Sequence, residues 1–517
     1  MDGGECNRGN ATMAQSKLAP NTIDISGSAN VKKLQSKAVG LIGVLFLTVT
    51  GAAPESAMLG NVPFAAGFGV GTYTPAAFLL ATIVLTIFSI GYAAMASRVS
   101  SVGGFYSFIA QGLGRELGMS AGFASLVCYS VFEASLTGLF AFFANSWLNT
   151  HFGIDVGWAY LAMFCLILTG ILSYFEVKIS VAVLGVALIL EVLILLIFAI
   201  GVISADSGTN FSLESLNVFK VYTPVAEQKV GEVAIGAGAA AIGIFMAFWS
   251  WVGFEMAPNY AEESRDPKRN IPRSLIISVI GLGIFYTFVS WCAVSAYPTE
   301  GDMLAKAVAD SGNFYLTPLE TFVGTWAKEL MFVLILTSSF ACSMAFHNTA
   351  ARYMYSLGRE GILPAAVAET HDHHKSPHKA SVVQSILAAV WVLLFGLFNG
   401  WGDANAQAYL GVYTLYAVLG TGLLLVIQAV VSLAIWNWFR KNGGGNVFTT
   451  TIAPLFSFLV QLVLVYTLIS NLAGLGGQSW LLWVGAAVII IGLLWGFYLK
   501  AAKPEAYRNI GHMINEG

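Results

Sequence analysis

Charge is scarce in this sequence: Asp, Glu, Lys and Arg make up 10% of the 517 residues, hydrophobic residues 57%, and the net charge is −3. Soluble domains carry about 25% charged residues, so little of the chain is left to build one. No Lys/Arg cluster with interleaved aromatics occurs, which excludes a nucleic-acid partner. Of the five cysteines, Cys128, Cys165, Cys292 and Cys342 lie inside apolar runs and Cys6 near the N-terminus. That distribution excludes a disulfide framework and a CxxC site. Walker, GxSxG and HExxH motifs are missing, so neither an enzyme nor a resident cofactor is expected. Residues 1–38 are polar and have no apolar signal core; they read as a flexible cytoplasmic tail rather than a signal peptide.

What is present is a series of apolar runs, with a mean hydropathy of +0.73. Runs of about 18 residues or more read as membrane spans. They fall near 39–68, 75–97, 119–148, 157–175, 180–203, 233–261, 273–297, 322–357, 380–399, 406–437, 449–472 and 479–499. Twelve spans put both termini on one side. That side, with its loops, carries 21 of the 25 Lys and Arg, against Lys220, Lys229, Lys306 and Lys328 on the other. The positive-inside rule therefore makes both termini cytoplasmic. The larger outer loops, 204–232 and 298–321, are expected to hold short helices.

Two spans are interrupted at depth. The first reads GLIGVLFLTVTGAAPESAMLGNVPFAAG, broken at Gly51 and Pro54; the sixth passes through Gly253 and Pro258. Proline removes a backbone donor and crowds the preceding turn, and lipid cannot satisfy the freed groups, so such a break survives where it lines a cavity. One kink of this type is more often packing. Two, each opening a set of five spans, predict inverted repeats (39–203 and 233–437), followed by spans 11 and 12 within 449–499 and a cytoplasmic tail at 500–517. Freed N–H groups and the helix dipole suit a carboxylate, and freed carbonyls suit an ammonium group or a cation.

The stretch GFEMAPNYAEESRDPKRNIPRSL from Gly253 closely resembles the span-6 signature of the amino acid–polyamine–organocation permeases, of the prokaryotic amino acid permease type. YAAMASRVSSVGGFYSFIAQGLGRELGMSAGF (Tyr92–Phe123) and HNTAARYMYSLGREGILP (His347–Pro364) resemble the same family's span-2 and span-8 segments. The resemblance covers roughly residues 36–440. It implies an all-α integral membrane protein of the cell inner membrane with the LeuT-like 5+5 inverted-repeat fold. Substrate would sit at the breaks: Thr50, Gly51, Ala52, Ala53, Pro54, Glu55 and Ser56 in span 1, and Phe248, Trp249, Ser250, Trp251, Gly253, Phe254 and Glu255 in span 6. The four aromatics among these resemble the family's aromatic gate. Where many relatives have Gly-Ser-Gly, this chain has Gly51-Ala52-Ala53, and Glu55 adds a negative charge.

Glu55, Glu133, Glu191 and Glu255 lie inside expected spans. An ionised carboxylate at such depth costs about 2.5–3.5 kcal/mol, so it faces a cavity, pairs or is protonated. Glu191 falls where proton-coupled relatives often carry a lysine. It is the first candidate for a coupled proton and Glu255 the second; a permanently protonated, hydrogen-bonded carboxyl is the alternative for Glu191. Glu55 reads either as the partner of a substrate ammonium or as a cap on the half-helix after the break. Glu133 reads as a buried, hydrogen-bonded acid. Ser338 and Ser339, with Ser343, offer oxygens to a sodium ion, the alternative being bonding within and between helices. The loop HDHHKSPH (371–378) suggests a metal, but the neighbouring Lys375 and Lys379 favour a solvated surface. Glu262, Glu263, Arg265 and Asp266 read as an inner gate or as solvated charge.

The expectation is a secondary active transporter importing an amino acid or related amine, coupled to protons or to sodium. An exchanger and a substrate-sensing receptor are the alternatives, and both a monomer and a homodimer remain open.

Overall fold

The computed structural model describes residues 39–99, 103–175, 180–222, 228–230, 233–235, 239–261, 263–371, 376–401, 406–471 and 480–511. The two terminal tails as far as residue 38 and from residue 512, Lys178, Glu262 and residues 372–375 of the histidine loop lie outside the described residues.

Among the described residues the regular structure is helical apart from one short antiparallel pair and an isolated bridge between Val39 and Ser264. The first half comprises α1 (Leu41–Ala52), α2 (Pro54–Ala65), α3 (Thr74–Ala96), α4 (Gly104–Leu113), α5 (Arg115–Phe152), α6 (Trp158–Tyr174) and α7 (Ser180–Ile203). Two 3₁₀ turns, Leu213–Leu216 and Val218–Lys220, and the strands β1 (Gln228–Val230) and β2 (Val233–Ile235) follow. Then come α8 (Ala239–Trp249), a 3₁₀ segment at Phe254–Tyr260, α9 (Pro267–Ser295), α10 (Glu300–Ala309), α11 (Leu316–Phe322) and α12 (Thr325–Arg359). The last part is α13 (His378–Asn399), α14 (Thr414–Asn442), α15 (Ala453–Asn471), α16 (Trp480–Ala502) and α17 (Pro504–Asn509).

Ten helical stretches among the described residues are long and apolar enough to cross a membrane. One of them, Leu41–Ala96, runs through both of the first two expected spans, and α6 is a shorter apolar helix. The structure departs from the sequence reading in two places. The expected start of span 6 at 233 is instead β2, and the helix begins at Ala239. Residues 104–113, between two expected spans, form α4, whose Ser107, Phe108 and Ile109 are buried. The loops at 204–232 and 298–321 hold short helices as expected, the two 3₁₀ turns in the first, with β1 after them, and α10 and most of α11 in the second.

Burial separates central helices from peripheral ones. The apolar window of 240–260 is 100% buried and that of α5 83%, whereas that of α16 is 17% buried. Helices exposed in this way, carrying Ile490, Ile491 and Leu494 outward, suit lipid contact, because hydrocarbon is as apolar as the side chains themselves. Close crossings use small residues: a Cβ on Gly112 of α4 would lie 2.4 Å from the Ala434 carbonyl oxygen of α14.

Candidate functional site

The break in the first span is a single residue. α1 ends at Ala52, Ala53 takes φ 40°, ψ 79°, and Pro54 begins α2. Ala53 is the one non-glycine at positive φ among the described residues, a conformation that disfavours a side chain. Proline suits this position because the first helical turn lacks an acceptor for its N–H anyway.

The other interrupted span loses its α-helix after Trp249, turns through residues 250–253 and continues as the 3₁₀ segment. Its turning point is Gly253 at φ 127°. A Cβ there would stand 2.5 Å from Ala52 N and 2.5 Å from Gly51 C, so the two breaks touch backbone to backbone. Neighbouring helices take up the freed groups. The Tyr286 hydroxyl donates to the Ala52 carbonyl (3.2 Å) and the Cys342 thiol to the Gly51 carbonyl (3.2 Å).

The N–H groups at the start of α2 are not free for a ligand. Glu55 N–H donates to Glu191 Oε2 (3.5 Å), Ser56 N–H to Ser338 Oγ (3.3 Å), and Ser338 Oγ–H to Glu191 Oε2 (2.9 Å). A carboxylate thus sits at the helix N-terminus, as the dipole favours, but it belongs to α7. Glu55 does not cap: both its oxygens are buried without a hydrogen-bond partner among the described residues. Ser339 Oγ bonds back to Ile335 O of its own helix (2.8 Å), and Ser343 Oγ is buried without a partner among those residues. Ser338 alone of the serine set meets a carboxylate.

Glu255 holds the second break. Its Oε2 accepts from Gly253 N–H (2.9 Å) and its Oε1 from the Tyr129 hydroxyl (2.9 Å), tying the turn to α5. Farther along, Arg352 of α12 bridges to Glu263 (2.8 Å) and stacks over the Tyr260 ring, joining α12 to the end of this segment.

A narrow space lies between the breaks. Of the residues expected at the site, Gly51, Ala52, Ala53, Ser56, Trp249 and Ser250 line it. Phe248, Trp251, Phe254 and Glu255 instead line a second narrow space against α14. Thr50, Pro54, Glu55, Gly253, Glu191, Ser338 and Ser339 line neither.

Sequence reasoning missed Ala57, Asn61, Leu136, Val252, Cys342, Phe346 and Tyr413, which complete the central lining. Asn61 is the organising polar group: its Nδ2 donates to Ser250 Oγ (2.8 Å), and its Oδ1 accepts from the Tyr413 hydroxyl (2.5 Å). That hydroxyl in turn accepts from Trp249 Nε1 (3.1 Å). Tyr413 closes a π-helical stretch, 406–413, a geometry frequent at functional sites. An asparagine seven residues past a break in an apolar span was the available signal. Asn61→Ala leaves Tyr413 and Ser250 without these partners, a loss of about 1–3 kcal/mol. It should raise the substrate KM roughly tenfold or more, measured by uptake into proteoliposomes.

Residues 39–497 match the profile of the family described as amino acid permease. A large neutral amino acids transporter small subunit 2 of Mus musculus is 23% identical over 439 residues, covering 84% of this chain and 75% of that one. A branched-chain amino acid permease of Lactococcus lactis is 24% identical over 309 residues, 56% of this chain and 62% of its own. An uncharacterized transporter of Mycobacterium tuberculosis is 23% identical over 414 residues, 76% and 79% of the two chains. These relatives are transporters and permeases rather than enzymes.

Proposed function

The chain belongs to the amino acid permease family, and on that premise we propose that it is a secondary active transporter. It would import a neutral amino acid with an apolar side chain by alternating access, with a proton as the coupling ion. The carrying observation is the central cavity, walled by the backbone of one break at Gly51, Ala52 and Ala53 and by Trp249, Ser250 and Val252 at the other.

The substrate class follows from the lining. It contains no charged side chain; Leu136, Val252, Phe346 and Trp249 offer apolar contact, while Asn61, Ser250 and Tyr413 offer directed hydrogen bonds. Burying an unpaired ammonium side chain among such groups would be costly, so a polyamine fits poorly. The names of the mouse and Lactococcus relatives point the same way. With the N–H groups of Glu55 and Ser56 already engaged, the substrate's own charged ends would meet the cavity hydroxyls, the amide and the break carbonyls. Glu55 then belongs with Glu191 rather than with the substrate.

Glu191 is the proposed proton carrier. It joins α7 to α12 through Ser338 and to the first turn of α2 through Glu55 N–H, so its protonation would be felt at the break itself. A sodium ion at Ser338 and Ser339 is less favoured, because their hydroxyls turn to Glu191 and to the Ile335 carbonyl. Twelve spans in two inverted sets of five plus two, with both termini cytoplasmic in the cell inner membrane, remain our reading of the topology. It rests on the paired breaks and the Lys/Arg asymmetry.

Uptake of labelled L-leucine into proteoliposomes tests this. Accumulation driven by an inward proton gradient is the expected result. Uptake that needs internal leucine identifies an exchanger, and binding without flux a sensor. Excess putrescine should not compete.

A further inference from the structure

Glu133 is fully buried on α5 and has no part in the proposed transport step. Its Oε1 lies 2.9 Å from His347 Nδ1 of α12, also fully buried, and its Oε2 accepts from Gln384 Nε2 of α13 (2.7 Å). The other ring nitrogen, His347 Nε2, lies 2.8 Å from Ser381 Oγ. One turn earlier on the same face of α13 is His378, the last residue of the histidine loop. Its Nδ1 is buried with no hydrogen-bond partner among the described residues, and its ring meets those of Tyr174 and His371 edge-on, at 5.6 and 5.2 Å.

We propose that Glu133, His347 and Ser381, held by Gln384, form a second proton-binding site in the membrane core, reached from the histidine loop through His378. The physical reason is that each ring nitrogen faces a group able to serve it in both charge states, the Glu133 carboxylate at Nδ1 and a hydroxyl, which can donate or accept, at Nε2. With a neutral ring, Nδ1–H donates to the Glu133 carboxylate and Nε2 accepts the Ser381 hydroxyl proton. An incoming proton lands on Ser381 Oγ as the serine's own proton passes to Nε2. The ring becomes an imidazolium that donates to Glu133 and to Ser381. One proton has entered, and the charge of the Glu133 and His347 pair goes from −1 to 0.

The surroundings leave this pair as its own unit. Of the titratable groups on elements packed against α12, Glu191 is bonded at Ser338, with Glu55 beside it, and Glu255 is bonded to Tyr129. Glu320 pairs with Lys328 and Glu263 with Arg352, while Lys379, next to His378, pairs with Glu369. The Cys165 thiol of α6 lies close enough to Glu133 to feel its charge. Toward the cavity, Leu136 lies one turn from Glu133 and Phe346 is next to His347, and both line it. A change of charge at the pair therefore sits directly behind the cavity wall. The inference rests on the transporter reading only for what the proton serves, not for its geometry.

The test uses the full chain in liposomes, without substrate. Solid-state ¹⁵N NMR of the histidine-labelled protein follows the ring as the bath goes from about pH 8 to about pH 5, the range over which histidine changes charge. The His347 signals are assigned by their loss in His347→Gln. If that variant does not fold, contact with both ¹³C-labelled glutamate and ¹³C-labelled serine assigns them instead, since the His151 ring also meets a glutamate, Glu329. The expected result is a change from neutral ring to imidazolium, with Ser381→Ala holding the ring neutral to lower pH and His378→Gln slowing ring-proton exchange at least tenfold. A ring in one protonation state throughout, or a transition indifferent to Ser381→Ala, overturns the site; unaltered exchange in His378→Gln overturns the route. Because no leucine is present, failure here leaves the leucine-uptake result standing, and failed uptake leaves this result standing.

Discussion

Gly253→Ala should reduce leucine transport at least about 100-fold and lower the thermal midpoint by several degrees, whereas Gly51→Ala should leave the fold and expression close to wild type. The contrast comes from geometry. A methyl on Gly253 would sit 2.5 Å from Ala52 N and Gly51 C, backbone atoms that cannot swing aside, and at a φ of 127°. Overpacking costs about 1–3 kcal/mol, and strain in such a backbone region a further ~1–3 kcal/mol. About 2.7 kcal/mol suffices for a 100-fold change in rate. A methyl on Gly51 would meet Met256 Sδ at 3.4 Å and Gly253 Cα at 3.5 Å, which are ordinary contacts. Uptake and thermal unfolding of both variants check this. Equal effects would show that the close approach of the two breaks is not what the site depends on.

Glu191→Gln should abolish accumulation driven by a proton gradient, by tenfold or more, while counterflow stays within about twofold of wild type. The amide keeps the volume and one acceptor oxygen for Ser338 Oγ and Glu55 N–H, the two donors that Glu191 now serves. It cannot release a proton. Counterflow needs the site to bind and reorient but not to drive a net proton, so the two assays separate coupling from binding. If accumulation persists, the coupled proton lies elsewhere, and Glu255→Gln is the next variant to measure. Its carboxylate spans the second break, from Gly253 N–H to the Tyr129 hydroxyl.

The places where helices must break were legible in the sequence, because Gly51, Pro54 and Gly253 alter the backbone locally and need no partner to do so. The partners were not. Glu191 lies 136 residues from Glu55, and Ser338 lies 282 from Ser56. Hydropathy shows that Glu191 is deep in the membrane but not which helix end it meets. Its capping of α2 displaces both ideas offered by the local sequence, that Glu55 is the cap and that the α2 N–H groups are free. The aromatic run 248–254 was legible as a unit, yet the turn sends Trp249 to one side and Phe248, Trp251 and Phe254 to the other. A helical wheel cannot anticipate that once the helix stops. Asn61 and Tyr413 carry the cavity's polar contacts from two distant helices, and a single polar residue in an apolar span is as common in packing as in binding. Glu133 could be read as a hydrogen-bonded acid, but its partners His347 and Gln384 lie 214 and 251 residues away.

Cys342 offers the most direct measurement of the central claim, that substrate occupies the space between the two breaks. Its thiol lines the cavity and bonds to the Gly51 carbonyl, and Cys128, Cys165 and Cys292 are buried elsewhere. Alkylation by N-ethylmaleimide in proteoliposomes is followed by mass spectrometry of the peptide containing Cys342, with and without saturating L-leucine. The proposed site predicts that leucine slows modification of Cys342 several-fold, and that Cys342→Ser makes uptake insensitive to the reagent. An alkylation rate at Cys342 that leucine leaves unchanged, in protein that takes leucine up, would place the substrate elsewhere and contradict the account.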